Sequence, residues 1–520
     1  MILPADDSKS RNMSESFPAV SRQVVVGLAI LTSLGLGGCR GSSESGNSKA
    51  DVETPVRSTE KSMVVELNPK PVDPAPLERT PAESSQGQDS VAESRRIPEQ
   101  IFRPDDVRPV HDDKKLAELG INVFESQRLK LYTDIEPKFA RSLPGLIDQA
   151  YQALVDYFGP LPPSRSGAEF QMTGYLIGDE ALFREAGLIP LDLPPFEHGR
   201  HRRNEFWMRE QRFEYYRRHL LIHEATHCFM TVLPDVDAPV WYMEGMAECF
   251  GTHRIDADGT ARFRVMPTSP EDFAGSGRIT AIRNDLAAGH GKAIGEILDF
   301  KAVEFLKTEQ YAWSWGLSMF LNSHPRYRDR FRELGGYLQR NAFPTHFHKV
   351  FSPVAGELNT EWMLFSRNLQ YGFDIERAAI EFLPGLPLDL AHPRHEVRIQ
   401  SDRGWQSSGI HLEKDQICQL QAQGRFVLAQ RPKDWVADAG GVSFRYFEGI
   451  PLGMLLGALH GDSVSADQPT DSMLRISPIG RSGVFKAREA GTLYLRLNDE
   501  WNSLHDNHGE VVVEIGLGQE

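Results

Sequence analysis

The period of apolar and polar positions changes several times along the chain, and each change marks an element. "RLKLYTDI", Arg128 to Ile135, alternates as a half-buried strand does. Behind it, "PKFARSLPGLIDQAYQALVDYFG" sets Phe139, Leu143, Leu146, Ala150 and Leu154 at helical spacing, and Gly159 stops the run. "FQMTGYLIGD", Phe170 to Asp179, returns to strand texture, so this opening predicts a small mixed sheet. From Phe213 to about Thr231 the chain has neither Pro nor Gly, which predicts an uninterrupted helix. A second helix is expected from about Trp241, after the Pro-broken "DVDAP", and two more within "EQYAWSWGLSMFLNSHPRYRDRFRELGGYL". From about Val397 the texture becomes "VRIQSD", "ICQLQAQGRFVLA", "GVSFRYF", "GVFKARE", "TLYLRLND" and "EVVVEIGL". Gly, Asn and Asp turns separate these short alternating runs, the pattern of a β-sandwich. The expected class is therefore α+β followed by an all-β domain.

The N-terminal region has a different texture. Arg22 precedes an apolar run, Val24 to Leu36, too short to span a bilayer comfortably and closed by small residues, as in an export signal. Leu36-Gly37-Gly38-Cys39 resembles a bacterial lipobox, which implies that Cys39 carries lipid and holds the chain at the membrane of the cell envelope; a plain signal peptide or an uncleaved anchor is the alternative. Export is expected in each case. Beyond Cys39 the chain is rich in Ser, Pro, Glu and Gly and poor in aromatics, so it cannot bury enough surface to order itself. The expected organisation is signal peptide with lipobox at 1–39, disordered linker at 40–110, a first domain at 115–372, a linker at 373–395 containing "LPGLPLDLAHPRHE", and the sandwich at 396–520. No repeat of solenoid period is present in the sequence.

Composition adds bounds. The 520 residues are 40% hydrophobic and 25% charged, those of a globular protein of two or three domains. A net charge of −15 leaves no basic footprint for nucleic acid. The cysteines are Cys39, Cys228, Cys249 and Cys418, too few for a disulfide framework. Cys228 and Cys249 could be bridged in an oxidising compartment, or be buried thiols.

The chemistry concentrates in "LLIHEATHCFMTV". His223 and His227 stand four apart on one helical face, where two imidazoles can bind one zinc ion, and Glu224 can reach a water on that metal. Glu244 follows His227 by 17 positions within Trp-Tyr-Met-Glu-Gly-Met-Ala-Glu. Together the two motifs resemble the gluzincin metallopeptidases, in particular the aminopeptidase-like and peptidase MA-like branch, over roughly residues 129–369. The resemblance implies a gluzincin-type domain hydrolysing peptide bonds, with zinc held by His223, His227 and Glu244 and with Glu224 as general base. Two His and one Glu leave a fourth coordination position open, as catalytic zinc requires. It further implies an oxyanion donor downstream, for which Tyr311 is the candidate; packing is the alternative for Tyr311 and the expectation for Trp313 and Trp315. Glu248 either orients a ligand histidine or is a solvated helix acid, and His219 either borders the cleft or packs in the core. The basic run "HGRHRRNEFWMREQRFEYYRRH" either is a solvated loop and helix face or lines the cleft.

The last strands, "LYLRLNDEWNSLHDNHGEVVVEIG", resemble the galactophilic bacterial lectins, β-sandwiches that bind sugar through calcium. That resemblance implies a calcium loop formed by Asp499, the carbonyl of Ser503, Asp506 and Asn507, with a further carbonyl from about Leu428; a plain polar turn is the alternative. The lectins' sugar-contacting residues have no counterpart in "RYFEGIPLGMLLGALHGD". The function expected from sequence is an exported zinc metallopeptidase acting on peptide or protein, with a Ca2+- or glycan-binding accessory domain. The rival is a non-catalytic zinc-containing glycan-binding protein of the cell envelope.

Overall fold

The computed structural model describes residues 102–104, 108–233, 236–338, 342–430, 433–462 and 472–518. The apolar run at Val24 to Leu36, Cys39 and the tether to residue 100 lie outside these described residues.

A five-stranded sheet comes first: β1 (Asn122–Glu125), β2 (Leu129–Thr133), β3 (Met172–Ile177), β4 (Gly199–Arg202) and β5 (Glu205–Arg209), in the order β1-β2-β3-β5-β4. The pairs β2/β3 and β3/β5 are parallel, whereas β4 runs antiparallel to β5 and forms an edge. Tyr132, Tyr175 and Trp207 are in cross-strand register and stack in sequence on one face. Leu129, Leu131, Met172 and Met208 join the core with helix α1 (Leu143–Phe158), which buries Leu146, Ile147, Ala150 and Leu154.

The single helix expected from Pro137 is divided. Pro137–Ala140 forms one turn, and α1 restarts at Leu143 because Pro144, lacking an N–H, suits a first turn and not an interior. The break leaves Phe139 39% exposed instead of on the buried stripe. Gly159 ends α1 with φ +89°, backbone that favours glycine.

Among the further helices of this part, those that build the site and its surroundings are α2 (Glu214–Met230), α3 (Val240–Gly251), α4 (Arg278–Ala287), α5 (Thr308–Ser323) and α6 (Ala355–Asn368). The expected partner of α5 is a shorter helix, Arg328–Glu333, followed by a 3-10 turn at Leu334–Tyr337.

The C-terminal part is two packed sheets. We number its main strands β6 (Arg394–Gln400), β7 (Gln406–Leu412), β8 (Ile417–Gln423), β9 (Leu455–Gly461), β10 (Ser482–Lys486), β11 (Gly491–Leu497) and β12 (Glu510–Leu517). One sheet runs β10-β8-β12-β6; the other has β9-β11-β7 at its centre. Of "GVSFRYF" only Tyr446–Phe447 is a strand, paired with Ile450–Pro451 in a largely exposed hairpin. The sheet containing β9 and β11 is buried on both faces: Leu455, Leu459, Leu493 and Leu495 face the second sheet, while Leu456, Ala458 and Tyr494 join the core of the helical part. Within the expected linker, Phe373, Ile375, Ile380 and Leu388 are buried.

Candidate metal centre

Helix α2 carries the His-Glu-x-x-His string through the interior, and Leu220, Leu221, Ile222 and Ala225 pack in the core around it. His223 and His227, one turn apart, present their Nε2 atoms 3.1 Å from each other. Helix α3, opened by Pro239, brings Glu244 Oε2 to 3.4 Å from both nitrogens. Tetrahedral zinc with bonds of about 2.0–2.1 Å separates its donors by about 3.3 Å, so this triangle has the size such an ion needs.

The charges fit as well. Glu244 is fully buried, and neither of its oxygens receives a well-directed hydrogen bond. Burial works against its ionisation, yet His227 and His223 outweigh that and hold its carboxyl at about 2. Burial likewise opposes charge on His223, but Glu244 and Glu248 together raise it to about 10. Arg278 balances Glu248, so the charge left to balance is that of Glu244, and a divalent ion would take over the role that a proton on His223 otherwise fills.

Glu248 is fully buried, which removes its solvated alternative. Arg278 grips it with two hydrogen bonds of 2.7 Å, His219 Nε2 lies 3.1 Å from it, and its Oε1 is 3.4 Å from His223 Nδ1. His219, His223 and Glu248 also lie close enough to hold an ion, but the bidentate guanidinium already occupies the Glu248 carboxylate. The cluster therefore sets a fixed carboxylate beside the His223 ring, near its Nδ1 but not hydrogen-bonded to it, and His219 is a core residue at 1% exposure.

Glu224 projects beside the triangle. Burial raises its carboxyl to about 7, offset in part by His223 and His227. Tyr311, in the first turn of α5, is buried with its ring 6.5 Å from that of His223; burial and the nearby Glu244, Glu248 and Glu224 hold its phenol well above the usual range. Trp313 and Trp315 pack, donating to Asp285 and Thr252. Cys228 and Cys249 are unbridged buried thiols near the carbonyls of Glu205 and Trp315, and burial pushes both thiols up.

Several residues of the centre escaped the sequence reading. Part of the basic run forms the β4/β5 hairpin, where Gly199 lies against Glu224: a Cβ there would sit 2.3 Å from Glu224 Oε1. His201 stacks on His227 with ring centroids 4.6 Å apart. Gly245 lets α3 approach α5, since its Cβ would meet Ser318 Oγ at 2.2 Å and the Ser314 carbonyl at 2.6 Å. Arg278 had no local signal, being joined to Glu248 only by the fold.

In the sandwich, the turn between β11 and β12 brings three of the expected calcium residues together. Asp499 Oδ2 accepts from Asn507 Nδ2 at 2.8 Å, and Asp499 is buried, which raises its carboxyl; neighbouring Asp506 also raises it. Asp506 Oδ1 and Asn507 Oδ1 are buried oxygens without a hydrogen-bond partner. Ser503 precedes the 3-10 turn Leu504–Asp506, and Leu428 follows Val427, which pairs with His508. Unpartnered hard oxygens beside a buried carboxylate suit calcium.

No protein-family model matches the chain, and no curated protein matches it. Among solved structures, a chain described as "EclA N-terminal domain; PllA-like lectin" is similar at 18% identity and a TM-score of 0.18, covering 24% of this chain and 95% of that one.

Proposed function

We propose that the protein is a zinc metallopeptidase of the gluzincin kind, exported and held at the cell envelope through lipid on Cys39. The observation that carries the reading is the triangle of His223, His227 and Glu244 with Glu224 beside it, all buried among elements that fix their orientation. A zinc ion held by those three residues would supply Lewis acidity and lower the pKa of a water in its open position. Glu224, with a carboxyl at about 7, can take a proton from the attacking water and return it to the leaving amine near neutral pH. Tyr311, its phenol kept protonated, can donate to an oxyanion near His223. Glu248, held by Arg278, stands 3.4 Å from His223 Nδ1, where it can orient that ring once a metal is bound.

Glu224→Gln tests the proposal. The variant is expected to keep one zinc per chain while losing roughly 100- to 10,000-fold in peptide cleavage, the range for a positioned acid–base group. Unchanged cleavage would sink the assignment. One observation favours the rival reading of a non-catalytic zinc protein: His223, Glu224 and His227 are each only 3% exposed. Stoichiometric zinc with no cleavage across a peptide library would decide for that rival.

The sandwich is proposed to bind calcium through Asp499, Asp506 and Asn507, with carbonyls from Ser503 and about Leu428. Its unpartnered oxygens support this part of the reading. Glycan binding by this domain is proposed only on the resemblance of its last strands to the galactophilic lectins, whose sugar-contacting residues have no counterpart here.

A further inference from the structure

We propose that His201 is a positioning residue of the metal centre, set on the edge strand beside Glu224 so that its ring nitrogen can meet oxyanionic groups bound next to that carboxylate. The inference rests on the zinc reading above, but not on peptides being the substrate.

Residues two apart on a strand share a face, so Gly199 and His201 both look toward α2 from β4. The space left by the absent Cβ of Gly199 is where the Glu224 carboxylate lies. His201 then closes that space from one side. Its ring is nearly parallel to that of His227, at 20°, and its Nδ1 is 3.8 Å from Glu224 Oε2. That distance is beyond a hydrogen bond, so the imidazole stands within reach of the carboxylate without being tied to it. Contacts of this kind tighten when a ligand arrives.

Its place on the edge strand, beside Glu224, is what separates His201 from a histidine buried in the middle of the core. Its side chain is 10% exposed, against 3% for that of Glu224, and β4 is the sheet's edge, with no strand beyond it. The imidazole therefore borders the Glu224 carboxylate on the side of the sheet's edge. Packing alone would be served by an apolar side chain; a nitrogen here adds a hydrogen-bonding group facing the position where a carboxylate and an incoming oxyanion meet. Sequence gave no hint of it, because His201 is 22 residues before His223 in a run that reads as a solvated basic loop.

The test uses the full chain loaded with zinc and acetohydroxamate as the probe, with binding measured by calorimetry and by the visible spectrum of the cobalt-substituted protein. His201→Leu is expected to keep one metal per chain and the wild-type thermal transition, while losing roughly ten- to hundredfold in hydroxamate affinity, the worth of a hydrogen bond to a charged group. His201→Gln, which keeps a side-chain donor, is expected to recover part of that loss. Wild-type hydroxamate affinity in the Leu variant would overturn the proposal in favour of packing. Loss of metal from both variants would overturn it in favour of simple support for His227. A wild-type protein that binds zinc and hydroxamate but cleaves no peptide would refute the peptidase reading alone and leave this comparison intact.

Discussion

At the scale of single residues, the centre is defined as much by what is missing as by what is present. A methyl at position 199 would overlap Glu224 Oε1 at 2.3 Å, and a side chain squeezed this way moves off its rotamer. Gly199→Ala is therefore expected to retain zinc, since the atoms nearest that space all belong to Glu224, while lowering cleavage about 100-fold through misplacement of Glu224. Metal content and turnover on the same preparation would check this; equal turnover would show that Glu224 has another place to go. The opposite lesson comes from Arg278. It is 2% exposed and is bonded twice to a carboxylate that is itself fully buried. Replacing it with Met leaves the buried Glu248 carboxylate with only His219 and His223 beside it, and loss of such a buried partner typically costs about 3–5 kcal/mol. Chemical denaturation of Arg278→Met should show a loss of that order, and the variant should bind zinc more weakly because the carboxylate beside His223 is no longer held in place.

At the scale of elements, α3 does two tasks in consecutive residues: Glu244 faces the histidines and Gly245 faces α5. With Ser314 and Ser318 opposite, the two helices pack more closely than any side chain at 245 would permit. Gly245→Ala must push back against the Ser314 carbonyl as well as a hydroxyl, so an overpacking loss of about 1–3 kcal/mol is expected. Because the same helix turn carries Glu244, the metal affinity measured by chelator competition should fall with it; a stability loss with unchanged affinity would mean that α3 yields without moving Glu244. How much was legible beforehand follows the same division. The histidine string and its carboxylate could be read because one helix face and one following helix place them by spacing alone. Glu248 and His219 were visible as candidates, but their roles depend on Arg278, which α4 supplies across 30 positions. Strand β9 was missed for a physical reason: "LLGALHG" has no alternation because both of its faces are buried. Strand β7, with Ser-Ser-Gly inside it, has little strand propensity of its own and is held by pairing with β11.

At the scale of the whole molecule, the sandwich is built into the same body as the metal-bearing part. Trp501 stacks on Phe373 at 5.6 Å, its carbonyl accepts from the Asp374 N–H, and Asn502 donates to the Tyr371 carbonyl. On the other side of the junction, buried Glu361 accepts from His324, from Tyr327 and from the Ile380 N–H, which pins the connecting segment to α6 and α5. Trp501 and Asn502 belong to the turn that carries Asp499, Asp506 and Asn507, so an ion bound there would stiffen the junction itself. Two consequences follow for unfolding. Trp501→Ala should cost about 3–5 kcal/mol, as for other buried tryptophans, and should lower the stability of the helical part together with the sandwich. Calcium should raise a single shared transition, by about 2.7 kcal/mol at a hundredfold excess over its dissociation constant, and Asp506→Ala should remove that gain while leaving the calcium-free transition nearly unchanged. Circular dichroism at a helical wavelength, followed alongside tryptophan fluorescence, distinguishes the cases: coincident curves that move together with calcium are expected. Two separated transitions, with only the sandwich responding, would mean that the buried faces of β9 and β11 are too weak a joint to couple the two parts.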